Sequence, residues 1–385
     1  MSKIPEVAQL LQKLVRIPSV NPSGDPGTQY VGERRIALFL KSHLLRMGAK
    51  VEMHEVAKGR PNVIACFKAR RRSERAVMVE SHTDTVSVLG MTIPPFGGQI
   101  RKGRVWGRGA CDTKGTMAAV LTALGSLARH KKLPETTDLC FVGAMGEEAG
   151  NEGAMHLMKS GYFRRKGVRP EFAIATEPTE LKIVYKHKGA VWLRISCEGR
   201  AVHGSKPELG INAILKMQKA LEFITRRLPA LYARYRDTEL GRPSFSVNII
   251  RGGSKVNIVP GHCEIELDHR TLPAEKSKDL VRLLARSLPG FGIEIISSRP
   301  GLSTPKNDPH IRRLADVIRG HGRTGDIFEA APWFADCGVF GEAGVPAIAF
   351  GPGSIRQAHT KDEYIEIDEL AVGAEIFKTY LGGLE

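Results

Sequence analysis

Aromatic residues are scarce in this 385-residue chain, at 6%, which leaves little material for the stacking platforms of a single-strand nucleic-acid binder. Long hydrophobic runs are missing too. Nowhere do about 18 apolar residues follow one another, so no membrane span is expected. The six cysteines, Cys66, Cys111, Cys140, Cys197, Cys263 and Cys337, contain no C-x-x-C pair, which argues against a zinc ribbon or a thioredoxin-type motif. They read as free, buried thiols in a reducing cytoplasm, where disulfides are rare. Acidic side chains are also in short supply: 41 Asp+Glu against 57 Lys+Arg gives a net charge of +16. That surplus makes an acidic partner, nucleic acid first, a question to test rather than an answer.

The remaining composition, 42% hydrophobic and 25% charged, is that of a folded chain and excludes wholesale disorder. At roughly 150 residues per domain the length suggests two or three domains. Ile4, Val7, Leu10, Leu11, Leu14 and Val15 recur at helical spacing, so the start reads as an amphipathic helix and not a signal peptide. Residues 62–67, 76–80, 139–144 and 172–176 read as buried strands, with helices over 28–47 and 113–130. This alternation predicts an α/β domain on a largely parallel sheet. After residue 180 the texture changes. A half-exposed strand at 189–198 leads to an amphipathic helix at 210–228, strands at 245–250 and 262–270, a helix near 275–287 and a strand near 292–296. That order reads as a small α+β sandwich with an antiparallel sheet. Alternation returns after Pro300-Gly301, with an apolar run at 345–350. One α/β domain (1–180 and 298–385) interrupted by an inserted α+β domain (181–297) accounts for the pattern. The densest charge run, Lys68 to Arg75, reads as a solvated loop or hairpin.

Five polar clusters stand at the ends of apolar runs: Ser81-His82-Thr83-Asp84, Cys111-Asp112-Thr113-Lys114-Gly115, Gly146-Glu147-Glu148, Thr176-Glu177-Pro178 and Ala358-His359-Thr360. Each alone has an ordinary explanation as a solvated or ion-paired strand end. Together, two histidines and several carboxylates suit a divalent ion such as zinc, manganese or cobalt, and strand ends in an α/β sheet converge on one cleft. Competing motifs fail. His54-Glu55 lacks the second histidine of H-E-x-x-H, and neither a phosphate loop nor a G-x-S-x-G elbow occurs. Gly107-Arg108-Gly109 and Gly351-Pro352-Gly353 are weak as phosphate cradles.

The segments SHTDTV (81–86), GRGACDTKG (107–115), GEEAG (146–150), TEPT (176–179), HGSKPELGINAI (203–214), VNIVPG (256–261) and GPGSIRQAHTKDEY (351–364) carry a resemblance. In this order they resemble the dinuclear zinc amidohydrolase and metallopeptidase family of acetylornithine deacetylase, succinyl-diaminopimelate desuccinylase and glutamate carboxypeptidase. The resemblance implies a zinc-exopeptidase-like α/β catalytic domain with a mostly parallel sheet, interrupted by a smaller ferredoxin-like lid and dimerisation domain. It implies two divalent ions, zinc with cobalt or manganese as alternatives. Asp112 would bridge them, His82 and Glu177 would complete one site, and Glu148 and His359 the other. Glu147 would be the general base, and Asp84 would fix the tautomer of His82 through its other ring nitrogen. A cis peptide after Asp112 is part of the pattern.

From the inserted domain, His203 would stabilise the oxyanion from the partner subunit of a homodimer. Arg270 would grip a substrate carboxylate, Asn257 would be a neighbouring substrate contact, and Gly353 of the GPGS turn would lie on the substrate side. Arg270 has a plainer alternative in a pair with Asp268 or Glu266. The implied substrate is a small anionic N-acyl amino acid or a dipeptide; the implied setting is cytoplasmic, without membrane or nucleic acid. A carboxypeptidase or dipeptidase is the alternative within the same chemistry, and a basic binding protein on a degenerate fold the alternative outside it. Ala335-Asp336-Cys337-Gly338 departs from the Thr-Asp-Ala-Arg of many relatives, which leaves the acyl preference open.

Overall fold

The computed structural model describes residues 4–385. Two compact units divide the chain: residues 4–185, 304–329 and 335–385 form one, and residues 186–303 with 330–334 form the other.

The larger unit is organised by one mixed sheet. Its middle is four parallel strands in the order Asp138–Ala144, Arg75–His82, Arg169–Ala175 and Ala347–Ala349. Asp138–Ala144 is buried at every position, as expected for a strand covered on both faces. The sheet is extended by Arg60–Phe67 and then Lys50–Ala57, both antiparallel. The antiparallel edge of this largely parallel sheet follows from Lys58 and Gly59, which leave only a two-residue connection. Such a connection can join only antiparallel neighbours, and Gly59 adopts the φ of +74° that the turn requires. His54 and Glu55 therefore lie on a strand and not on a zinc-binding helix. Helices Glu6–Val15, Lys114–Arg129 and Ile367–Gly382 pack together against the sheet. Leu11, Leu14, Phe141, Phe350 and Phe377 are completely buried among them, each contributing about 1.5–3 kcal/mol of apolar burial.

Cys66 and Cys140 correct the reading of six free thiols. They are register partners across Arg60–Phe67 and Asp138–Ala144, with Cα atoms 4.3 Å apart, and are joined as a disulfide. The other four cysteines are free and buried. The charge run is a loop from Lys68 to Glu74 with Arg75 opening the next strand, and ion pairs fix it: Lys68 to Asp138 at 2.6 Å, Arg71 to Glu135 at 2.9 Å and Arg75 to Glu171 at 2.7 Å. Among the described residues no helix is long and apolar enough to cross a membrane.

The smaller unit holds a four-stranded antiparallel sheet in the order Ser244–Gly252, His262–Thr271, Gly189–Glu198, Gly292–Arg299. Alternation decides its two faces. Cys263, Ile265 and Leu267 point into a core closed by Met217 and Leu284 of its two long helices, while Glu264, Glu266, Asp268 and Arg270 line the opposite face, half-buried. The helix beginning at Ala213 is capped by Asn212, whose Oδ1 accepts the N–H groups of Ile214 and Leu215. It passes through a π-turn, Phe223–Arg227, before ending at Leu231.

Candidate metal centre

The carboxyl ends of the parallel strands converge, as open α/β sheets require. His82 is the last residue of its strand. Glu147 and Glu148 open a short helical turn just after Asp138–Ala144, and Glu177 follows Arg169–Ala175 by two residues. Gly146 makes the turn possible with φ +74°, a conformation that disfavours any side chain. Asp112 precedes the helix Lys114–Arg129, and the Asp112–Thr113 peptide is cis.

Asp112 is the hub. Its Oδ1 lies 3.0 Å from Nε2 of His82, and its Oδ2 lies 3.3 Å from Nε2 of His359. The same nitrogen of His359 is 3.1 Å from Oε2 of Glu148. Ligand-capable atoms of His82, Asp112 and Glu148 all lie within 4.8 Å of one another. Glu177 is buried close enough for its charge to act on Asp112 and His82.

Asp84 ties the cluster together in a way that spacing does not reveal. Its main-chain carbonyl is the nearer partner of His82 Nδ1, at 3.0 Å, with its carboxylate at 3.6 Å. The carboxylate accepts instead from Asn21 Nδ2 at 2.7 Å and from the main-chain N–H groups of Glu147 and Glu148, both at 3.1 Å. Asn151, held in a left-handed conformation with φ +58°, donates from Nδ2 to Glu147 Oε1 at 3.3 Å and to Asp336 Oδ1 at 2.7 Å. Asn21, Asn151 and Glu363 are contributors that the sequence reading missed. Glu363 sits inside the quoted GPGSIRQAHTKDEY segment, but nothing in that segment shows what it touches.

Electrostatics make the cluster incomplete as it stands. Glu80, Asp84, Asp112, Glu147, Glu148, Glu177 and Asp336 are seven acids packed around two imidazoles. Burial first, and then one another's charge, push Glu80, Glu147 and Glu177 well above the usual carboxylate range. Burial carries Asp336 up to about 6. Burial would raise Asp112 as well, but hydrogen bonds to His359 and His82 outweigh it and hold its carboxyl low. Hydrogen bonds to Asp112 and Glu148 lift His359 to about 10. An uncompensated set of buried carboxylates is costly unless cations complete it. Glu148 Oε1 is buried with no hydrogen-bond partner among the described residues. Two imidazole nitrogens with carboxylate oxygens form a donor set suited to zinc, cobalt or manganese.

Gly353 lies in the same unit, beside the Asp112 segment. Its φ is +95°, and a Cβ there would come within 2.7 Å of Cys111 Sγ. The other three expected residues belong to the smaller unit. His203 and Asn257 are exposed on paired segments, where Gly204 N–H donates to the Asn257 carbonyl at 2.8 Å. Arg270 pairs through Nε with Asp268 at 3.1 Å and lies 5.4 Å over the Phe334 ring, while Glu266 is taken by Arg194 and Arg251.

The chain is similar over nearly its whole length to known proteins. An acetylornithine deacetylase of Photorhabdus laumondii is 30% identical over 380 residues, covering 95% of this chain and 94% of its own. That of Edwardsiella ictaluri is 28% identical over 382 residues, with 95% and 94% covered. The crystal structure of an M20-family metallo-carboxypeptidase from Sulfolobus solfataricus shares the fold at a TM-score of 0.79, with 19% identity over 98% of this chain and 99% of that one. Residues 78–382, which include every member of the acidic cluster, match the family described as Peptidase family M20/M25/M40. The chain belongs to that family of hydrolases.

Proposed function

We propose that this protein hydrolyses the amide bond of a small anionic N-acyl amino acid, in the manner of the acetylornithine deacetylases it resembles. The observation that carries the reading is the Asp112 carboxylate, bracketed by His82 on one oxygen and His359 on the other. Asp112 would bridge two divalent ions, with His82 and Glu177 completing one and Glu148 and His359 the other. When bound, such ions polarise the scissile carbonyl and lower the pKa of a shared water.

The chain's own residues do the rest. Glu147 takes the proton of the attacking water and returns it to the leaving amine. Its carboxyl, raised by burial and by neighbouring acids, can hold that proton between the two steps, and Asn151 fixes one of its oxygens. Asp84 holds His82 and the Glu147–Glu148 turn in mutual register. In the smaller unit, Arg270 suits a substrate carboxylate through its planar guanidinium, with Asn257 as a further contact and His203 as the donor to the oxyanion; Gly353 of the larger unit is a further substrate contact.

A homodimer through the smaller unit fits an exposed edge. Ser244–Gly252 is the outer strand of its sheet, Ile249 and Ile250 on it are 39% and 55% exposed, and Leu215 on the neighbouring helix is 66% exposed. Unpaired apolar edges of this kind invite pairing with a second copy. The net charge of +16 is a surface property that favours small anionic substrates.

A hydrolysis screen over N-acetyl amino acids, N-succinyl amino acids and dipeptides, with zinc, cobalt or manganese, tests the reading. The expected result is chelator-sensitive cleavage of an N-acyl amino acid. Cleavage of dipeptides alone would move the assignment to a dipeptidase, and no turnover with any metal would remove the enzymatic reading.

A further inference from the structure

Glu363 has no part in the chemistry above, yet it is completely buried beside the segment that presents Asp112. Its Oε1 accepts the main-chain N–H groups of Cys111 at 2.8 Å and Asp112 at 2.9 Å. Its Oε2 accepts the N–H of Gly109 at 3.0 Å and Nη1 of Arg108 at 2.7 Å. The main-chain carbonyl of Glu363 accepts the N–H of Gly107 at 3.0 Å. One residue, 251 positions from Asp112, thus holds Gly107, Arg108, Gly109, Cys111 and Asp112.

We propose that Glu363 is a positioning residue for the metal site, setting where the two oxygens of Asp112 lie; this rests on the reading of Asp112 as a metal ligand. The irregular segment 107–112 cannot satisfy these N–H groups within a helix or sheet, and a buried donor without a partner is costly. An ionised carboxylate has two oxygens that only accept, and each here takes two donors. No other side chain of the same length does this. Glutamine would turn a donor toward N–H groups, and aspartate is one methylene too short to span Gly109 and Asp112. The competing explanation is that Glu363 only neutralises Arg108, whose side chain is as buried as its own. The two accounts differ in what they predict for metal binding.

The full chain, stripped with chelator, is titrated calorimetrically with zinc alone as parent, Glu363→Gln, Glu363→Asp and Arg108→Gln. Residues that orient a ligand from behind affect metal affinity by about 10–100-fold, and that loss is expected for Glu363→Gln. Arg108→Gln breaks the same ion pair but leaves all three main-chain N–H contacts; it is expected to bind within about threefold of parent, well short of the loss typical of such partners. Glu363→Asp keeps the charge and is expected to weaken binding in the same direction; it supplies the answer if Glu363→Gln does not fold. Parental affinity in the Glu363 variants, or an equal loss in Arg108→Gln, overturns the proposal. A parent that takes up no zinc overturns the metal reading beneath it, and the proposal with it.

Discussion

Asp84 Oδ1 accepts the main-chain N–H of Glu147 at 3.1 Å, so the residue two positions after His82 helps fix where Glu147, the proposed general base, stands. The other oxygen takes Glu148 N–H, and the main-chain carbonyl holds His82 Nδ1. A single residue, through its main-chain carbonyl and its carboxylate, thus couples one strand end to the turn at the next. Replacing Asp84 with Ala is expected to lower kcat/KM by about 10–100-fold, the range for partners that orient metal ligands. Asp84→Asn, which retains one acceptor, should fall between the two. Steady-state kinetics with saturating zinc check this, and an Asp84→Ala enzyme with parental kcat/KM would remove the coupling.

Glu147 and the ligand histidines should separate cleanly. Glu147→Gln removes the proton carrier without removing a ligand, so kcat is expected to fall by about 10²–10⁴-fold with metal content unchanged. His82→Ala and His359→Ala should lose metal as well as turnover. Metal analysis of the purified variants beside their rates distinguishes the two classes. Loss of metal from Glu147→Gln would make Glu147 a ligand.

The parts of the fold legible in sequence were those with regular periodicity and full burial. The strands at 139–144 and 189–198 lie where their spacing placed them, and the helix read over 210–228 begins at Ala213, three residues later. Lys50–Ala57 was missed because KVEMHEVA mixes charged and apolar residues and is nowhere fully buried. The acidic cluster was visible as residue types at strand ends, although no spacing rule assigns Asp84 to two main-chain N–H groups 63 and 64 residues away. The Cys66–Cys140 pair depends on register between two strands, and Glu363 on contacts across more than 250 positions. Both are products of tertiary packing, which local pattern does not encode.

Zinc uptake should release protons. In the metal-free protein, hydrogen bonds to Asp112 and Glu148 hold His359 at about 10. For His82, burial opposes the charge, but bonds to Asp112 and Asp84 prevail and raise it well above its ordinary value. His359 therefore carries a proton at pH 7, and its ligand nitrogen must give it up. Apparent zinc affinity is expected to rise with pH from 7 toward 10. Calorimetry in buffers of differing ionisation enthalpy should count at least about one proton released per chain at pH 7. Uptake without proton release would mean that His359 is not protonated in the metal-free protein or does not bind the metal.

His187 predicts a second pH effect, independent of metal. It is completely buried, its Nδ1 donates to the Lys188 carbonyl at 2.8 Å, and Nε2 has no hydrogen-bond partner among the described residues. Burial lowers its pKa from 6.5 to about 4. Between those values the unfolded chain binds a proton that the folded chain refuses. The stability is therefore fully present above pH 6.5 and is lost as pH falls toward 4. The difference between those two values corresponds to about 3 kcal/mol at the acid end. His187→Asn can place its Nδ2 donor where Nδ1 stood and removes the titrating ring. The variant should melt lower at neutral pH through lost packing, but its melting temperature should decline less steeply between pH 6.5 and 4. Chelator-treated parent and variant, compared by thermal melts across that range, give the difference directly. Parallel acid slopes would mean that His187 is not the group whose protonation the folded state resists.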